Sequence, residues 1–168
     1  MMRVLDNIIR DSLTEFTEYV FQTNWYGRER ETISFYTLGF LQKYCEPSTI
    51  FRKSTQISIE AAVPQLREPG RKSQVCKDLV IWPEPGMTCW NDKRQPVNYP
   101  IVIIEWKTDR ASISKYDVNW LKKYSCMPEV SDRFIGYAVS FDLDYKKFRL
   151  SCTRVHQGSV ISEWLVLK

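Results

Sequence analysis

The chain contains a single histidine, His156, and its five cysteines form no Cys-x-x-Cys pair. Mechanisms that need a pair of histidines are therefore excluded, and the cysteines indicate neither a zinc site nor a disulfide framework. No segment is apolar over the roughly 20 residues that a membrane helix needs. The start, MMRVLDNIIRDSL, carries charges where a signal peptide is apolar, so we expect a cytoplasmic protein with no membrane partner.

What the chain does contain favours one folded domain. Its 168 residues are 43% hydrophobic and 14% aromatic, which is typical of a globular protein with a proper core. There is no repeat, no low-complexity segment and no evident linker, so a single domain over residues 1–168 is expected. The formal charge of +4 is compatible with a polyanionic partner, although many basic proteins have none.

Hydrophobic spacing predicts the element order α-α-β-β-β-α-β-β-β. Helical periodicity covers residues 3–22 and resumes at 27–45, before Pro47. A third helix is expected within residues 112–125, where Ser114 and Asp117 fit a cap. The predicted strands, with a turn around Asp144, are 56–63, 76–82, 101–107, 133–143, 146–155 and 159–167. The long connection 83–100 is either a functional loop or a surface excursion packed by Trp90 and Tyr99.

Charged residues interrupt two of the apolar strands. In IVIIEWKT, residues 101–108, Glu105 and Lys107 are two positions apart and share a face. In CKDLVIW, residues 76–82, Asp78 lies on the face of Val80 and Trp82. Consecutive strands are often neighbours, so Asp78 can stand beside Glu105 and Lys107. The alternative is a buried salt-bridge network with only a structural role, which usually gains little over apolar packing.

Two carboxylates and one lysine on adjoining strands are suited to metal-assisted phosphodiester hydrolysis. Mg²⁺ prefers oxygen ligands and keeps several waters, so Asp78 and Glu105 with phosphate oxygens would suffice as ligands. A metal of this kind lowers the pKa of a bound water and clamps the phosphate. Lys107 beside it could orient the attacking water and add positive charge near the transition state.

These residues and the order of elements around them resemble the PD-(D/E)XK nuclease superfamily, the restriction-endonuclease-like fold. That family carries an Asp at a strand start and Glu-x-Lys on the next strand, which fall here on Asp78 and on Glu105-Trp106-Lys107. The resemblance implies an α/β (α+β) fold with a central mixed sheet flanked by helices. It covers a core of about 28–143, to which an N-terminal helix 3–22 and C-terminal strands 147–167 are added.

The resemblance implies a catalytic set of Asp78, Glu105 and Lys107, with Asp78 and Glu105 as ligands of Mg²⁺, or of Mn²⁺ as a substitute. Many family members add a Glu from the first core helix, for which Glu29 and Glu31 are both candidates. The same two residues also suit a solvated helix start, where acids favour the dipole.

Two further positions qualify the motif. Glu60, in the first strand, is a possible residue behind the site. The family's name denotes a proline directly before the motif Asp, whereas this chain has Lys77 directly before Asp78.

The function expected from this resemblance is a Mg²⁺-dependent nuclease that hydrolyses DNA. Short groups of basic residues could contact phosphates beside Trp90, Tyr99 and Tyr116. Alternatively, they are solvated surface residues. The groups are Lys93 with Arg94, Lys122 with Lys123, Arg67 with Arg71 and Lys72, and Lys146 with Lys147 and Arg149. No helix-turn-helix or zinc finger is present. A homodimer or a partner protein could supply targeting. The alternative function is an inactive nuclease-like module that binds nucleic acid or protein.

Overall fold

The computed structural model describes residues 2–66, 73–130, 132–143 and 148–168. Within these ranges the chain forms three α-helices, α1 (Met2–Thr23), α2 (Glu29–Gly39) and α3 (Lys115–Tyr124). It also forms six strands, which are β1 (Ile57–Pro64), β2 (Gln74–Ile81), β3 (Val102–Thr108), β4 (Ile135–Asp142), β5 (Arg149–His156) and β6 (Ser159–Leu167). The predicted element order is confirmed. No helix in the described ranges is long and apolar enough to span a membrane.

All six strands form one mixed sheet in the order β1-β2-β3-β4-β5-β6. The pairs β1/β2, β2/β3, β4/β5 and β5/β6 are antiparallel, and only β3/β4 is parallel. A parallel pair needs a crossover connection, and α3 lies in that connection. The sheet therefore places β3 in its middle, between β2 and β4.

Each face of the sheet carries its own apolar cluster. On the first face α1 and α2 pack through Phe16, whose ring centroid lies 5.7 Å from Trp106 and 5.1 Å from Phe141. On the second face α3 packs through Trp120, which stacks on Tyr124 at 4.8 Å. β3 is covered on both sides, which explains why its first three residues are all apolar.

Three expectations from the sequence have different outcomes. The second helical pattern, predicted to run to residue 45, ends as an α-helix at Gly39 and continues as a 3₁₀ turn at Leu41–Tyr44, because glycine is a poor helix former. The connection 83–100 packs Trp90 and Tyr99 against the α3-side cluster, as its plainer interpretation predicted. The predicted turn around Asp144 lies outside the described residues.

An ionic contact holds α1 against β4 and β5 of the sheet. Asp6 Oδ1 accepts hydrogen bonds from the Tyr137 hydroxyl and from Arg154 Nε, each at 2.7 Å. The two charged side chains are only 18% and 12% exposed. Losing the carboxylate would leave a guanidinium and a hydroxyl partly buried without their acceptor.

We therefore predict that Asp6→Ala lowers the free energy of unfolding by about 2–3 kcal/mol, the order expected when one partner of a largely buried ion pair is removed. Urea denaturation followed by circular dichroism measures the change. Asp11→Ala, at an exposed position of the same helix, is the matched control and should cost less than about 0.5 kcal/mol. Equal losses of stability in the two variants would show that the contact of Asp6 with Tyr137 and Arg154 does not stabilise the fold.

Candidate functional site

The candidate site begins where the backbone pairing between β2 and β3 ends. The two strands pair from Ile81 opposite Val102 to Leu79 opposite Ile104. At the next position the Trp106 amide donates to the Asp78 side chain, with 2.7 Å between Trp106 N and Asp78 Oδ2. A side-chain carboxylate thus replaces the next backbone acceptor, and this contact fixes Asp78 directly beside the Glu105-Trp106-Lys107 segment.

A break in the alternation of β1 and β2 accompanies this change. In the register of these two strands, Ile59 pairs with Leu79 and Ala61 with Lys77, while Glu60 and Asp78 between them are unpaired. Glu60 has a φ of +53°, in the left-handed region that a non-glycine residue seldom occupies. The consequence is that Lys77 does not share the face of Leu79, as simple alternation predicts, but lies on the α3 side.

Lys107 is held between two carboxylates. Its Nζ lies 3.2 Å from Glu29 Oε1 and 3.7 Å from Asp78 Oδ2, and it donates to the Trp106 carbonyl oxygen at 2.8 Å. Glu29 is the first residue of α2, so the helix start reaches the end of β3. Lys107, Asp78 and Glu29 are 28%, 23% and 40% exposed, so this part of the site opens to solvent.

Glu105 has a different partner. Its carboxylate forms an ion pair with Lys77, and both side chains are almost completely buried, at 6% and 4% exposure. The Lys77 ammonium also lies 3.5 Å from the centre of the Trp120 ring on α3, a cation–π contact. Glu105 and Lys107 therefore do not neutralise one another, and each charge is balanced by residues of other elements.

Burial raises the pKa of Glu105 to about 7, with a smaller contribution from the negative charge of Asp78, although Lys77 acts in the opposite direction. Burial alone would lower the pKa of Lys107, but Asp78 and Glu29 together raise it above its ordinary value. Lys107 is therefore a cation at neutral pH.

The two remaining glutamate candidates lie outside this cluster. Glu31 accepts a hydrogen bond from the Arg28 backbone amide at 2.8 Å, which caps α2. Glu60 forms an exposed ion pair with Arg30 at 2.8 Å. Of the three glutamates left open by the sequence, only Glu29 contacts a residue of the motif, because the helix start places it toward β3.

Asp117 has the local role that its position predicted, and His156 makes a local backbone contact. Asp117 N donates to the Ser114 side chain at 3.3 Å, which confirms the cap of α3. The Asp117 carboxylate is also buried, and its charge contributes to the raised pKa values of Glu105 and Lys107. His156 Nδ1 donates a hydrogen bond to the Phe134 carbonyl oxygen at 2.8 Å.

Lys77 is the functional candidate that the motif did not identify. From sequence it was only a departure from the family's proline, and strand alternation placed it on the other face. One signal was available, since a lysine in the strand QVCKDLVI is a charge that must find a partner when buried. Its pairing with Glu105 depends on the interrupted strand alternation at Asp78, which the sequence pattern does not indicate.

The donor chemistry of the site suits a hard divalent cation only in part. Asp78 and Glu105 offer carboxylate oxygens, which Mg²⁺ prefers, and their mutual repulsion would be relieved by a cation. However, among the described residues no three histidine, cysteine or acidic side chains converge in a way that could hold a metal ion. Lys77 already balances the charge of Glu105. A metal would therefore depend on water and substrate oxygens for most of its ligands.

Comparison of the chain with protein-family models, with curated proteins and with solved structures found no match. The interpretation of the site accordingly depends on its own geometry.

The raised pKa of Glu105 predicts how stability varies with pH. Between its ordinary pKa near 4.5 and its folded value of about 7, the folded state binds more protons than the unfolded state, so this contribution to stability is lost as pH rises. We expect the stability of the wild type relative to Glu105→Gln to fall by about 3 kcal/mol between pH 4.5 and 8.

Urea denaturation across this pH range measures the difference. The absolute stability of Glu105→Gln also changes because Lys77 loses its partner, so the slope with pH is the quantity to compare. Glu18→Gln, at an exposed position of α1, is the control and should retain the slope of the wild type. A Glu105→Gln variant with an unchanged slope would show that Glu105 has an ordinary pKa.

Proposed function

We propose that the protein is a Mg²⁺-dependent nuclease of the restriction-endonuclease-like class, which hydrolyses phosphodiester bonds in DNA. The observation that carries the proposal is the contact of Lys107 with Asp78 and Glu29 at the point where β2 and β3 cease to pair, with Glu105 two residues before Lys107 on the same strand. These four residues come from three elements that are far apart in sequence. An order of two antiparallel pairs followed by a parallel pair, with a helix in the crossover, supports the same fold class.

In this proposal Asp78 and Glu105 would hold the metal, with Mn²⁺ as a substitute for Mg²⁺. When bound, such an ion lowers the pKa of water and stabilises the charge that develops on the phosphate. Asp78 is partly exposed and anchored by the Trp106 amide, so it offers a fixed oxygen at the solvent side. Glu105 lies deeper and would meet the same ion from the buried side.

Lys107 supplies positive charge to the substrate in this arrangement. Its ammonium is fixed by Glu29, by Asp78 and by the Trp106 carbonyl oxygen, yet remains 28% exposed. A cation that is already oriented stabilises a developing negative charge without reorganisation during the reaction. The ammonium can also hold the attacking water by hydrogen bonding. Glu29 acts through Lys107 and is therefore a positioning residue.

The second candidate is an inactive nuclease-like module that binds nucleic acid or protein. The ion pair between Glu105 and Lys77 favours it, because this pair satisfies Glu105 without a metal. Exposed basic residues of the 83–100 connection and of α3, Lys93, Arg94, Lys122 and Lys123, could contact phosphates in either case. Arg149 is engaged with Glu163 and Ser151, and the other predicted basic residues, Arg67, Arg71, Lys72, Lys146 and Lys147, lie outside the described residues.

Lys107→Ala separates the two candidates. If Lys107 acts in the transition state, the variant should cleave DNA about 10² to 10³ times more slowly, comparable to losing one electrostatic stabiliser. DNA affinity should change little, since binding is spread over many phosphate contacts. The assay uses linear, circular and single-stranded DNA with Mg²⁺, Mn²⁺ or EDTA, and Lys122→Ala is the charge-matched control. A wild type that binds DNA but cuts none of these substrates would favour the inactive module.

Glu29→Gln and Glu31→Gln form a matched pair on the first turn of α2. Glu29→Gln should slow cleavage by about tenfold and shift the alkaline limb of its pH profile to lower pH, because a carboxylate that raises the pKa of Lys107 is removed. Glu31→Gln keeps an oxygen that can accept the Arg28 amide of the cap, so it should lower stability by less than about 0.5 kcal/mol and leave the pH profile unchanged. Equal pH profiles in both variants would contradict the positioning role of Glu29.

A further inference from the structure

The Lys77 ammonium contacts the carboxylate that the proposed divalent cation would need as a ligand. It forms a hydrogen-bonded ion pair with Glu105, one of the two proposed ligands, and both groups are withdrawn from solvent. The carboxylate is thereby neutralised by a group of the chain itself. A cation that approached Glu105 would meet a positive charge in direct contact with its ligand, and like charges at such distances repel strongly.

The surroundings of the pair contain more negative than positive charge. Asp78 is bonded to the backbone amide of the residue that follows Glu105, and Asp117 is buried on α3, whereas Lys107 is engaged with Glu29 and Asp78. A positive charge beside Glu105, in addition to that of Lys107, is therefore electrostatically favourable. The ammonium of Lys77 supplies this charge. The same negative surroundings would attract a divalent ion if the ammonium were absent or displaced.

Lys77 can leave Glu105 without losing all its interactions. Its ammonium also faces the Trp120 ring at 3.5 Å, and a cation retains its attraction to an aromatic face after an ionic partner is removed. Lysine has a flexible four-carbon stem and makes point-charge contacts, so small movements are tolerated. The ion pair is therefore one that another cation could exchange.

We propose that Lys77 is a built-in competitor of the divalent cation, which keeps Glu105 paired in the free protein and must be displaced for metal to bind there. This inference rests on the proposed function, since it takes Asp78 and Glu105 as metal ligands. It assigns a regulatory role to the residue by which the sequence departs from the family motif. Metal affinity in the absence of substrate is then limited by Lys77.

Removing the competing charge should strengthen metal binding. Lys77→Met keeps the length of the stem and should bind Mn²⁺ about tenfold more tightly than the wild type, since repulsion beside the ligand is lost. Isothermal titration calorimetry at pH 8, above the raised pKa of Glu105, measures the affinity. Lys122→Met removes one exposed positive charge elsewhere and should bind Mn²⁺ as the wild type does. Lys77→Met/Glu105→Gln should lose the gain.

Labelling of the wild type tests the same displacement without a substitution and remains decisive if Lys77→Met does not fold. Acetic anhydride modifies accessible amines, so the buried Lys77 should react slowly while Lys122, which is exposed, reacts fast. Saturating Mn²⁺ should raise acetylation of Lys77 several-fold, as measured by peptide mass spectrometry, and leave Lys122 unchanged. Bound Mn²⁺ with Lys77 still protected would overturn the inference.

Cleavage of DNA by the wild type, assayed in parallel, separates this inference from the proposed function. Suppose that the wild type cleaves DNA with Mg²⁺, and that folded Lys77→Met binds Mn²⁺ no more tightly than the wild type does. These results would refute the role of Lys77 as a competitor and leave the proposed nuclease function in place. Tighter Mn²⁺ binding by Lys77→Met without cleavage by any variant would support the competitor and refute the nuclease. Absence of Mn²⁺ binding in every variant would refute both.

Discussion

The candidate site depends on one hydrogen bond, which the Trp106 amide donates to the Asp78 carboxylate. A strand edge that loses its backbone partner must satisfy its amides elsewhere, because an unpaired buried donor is costly. Asp78 meets this need at the position where β2 stops pairing with β3. The same bond brings a carboxylate beside Glu105 and Lys107. Backbone satisfaction and assembly of the site are thus a single structural event.

The break at Asp78 also explains how one short strand can serve two faces. After Asp78 in the sequence, Leu79 packs on the face covered by α1 and α2. Before Asp78, Lys77 reaches Trp120 of α3 on the other face. A regular strand would have directed Lys77 into the apolar cluster of Leu79, where no carboxylate is found to pair with it among the described contacts. The left-handed backbone of Glu60 on the neighbouring strand marks the same irregularity. Local strain of this kind is commonly concentrated at functional sites.

Periodicity was sufficient to predict most of the fold, because most elements carry apolar residues at the spacing of a helix or a strand. Helix α1 and the strands around Glu105 follow this rule closely, and their bounds differ from the predicted ones by one or two residues. Proximity of Asp78 to Lys107 also followed, since consecutive strands became neighbours. Lys77 could not be placed in this way. Its direction depends on a backbone irregularity, and propensity and alternation both describe regular strands.

The choice between Glu29 and Glu31 shows a second limit of sequence patterns. Both residues lie in the first turn of α2, where acids suit the helix dipole, and helical spacing alone does not separate them. The structure separates them by partner, since Glu31 closes the cap on Arg28 while Glu29 reaches Lys107. A cap needs only a local acceptor, whereas a contact with β3 requires the packing of α2 on the sheet. Residues whose role is set by tertiary packing, Lys77 and Glu29 among them, are those that carry the electrostatics of this site.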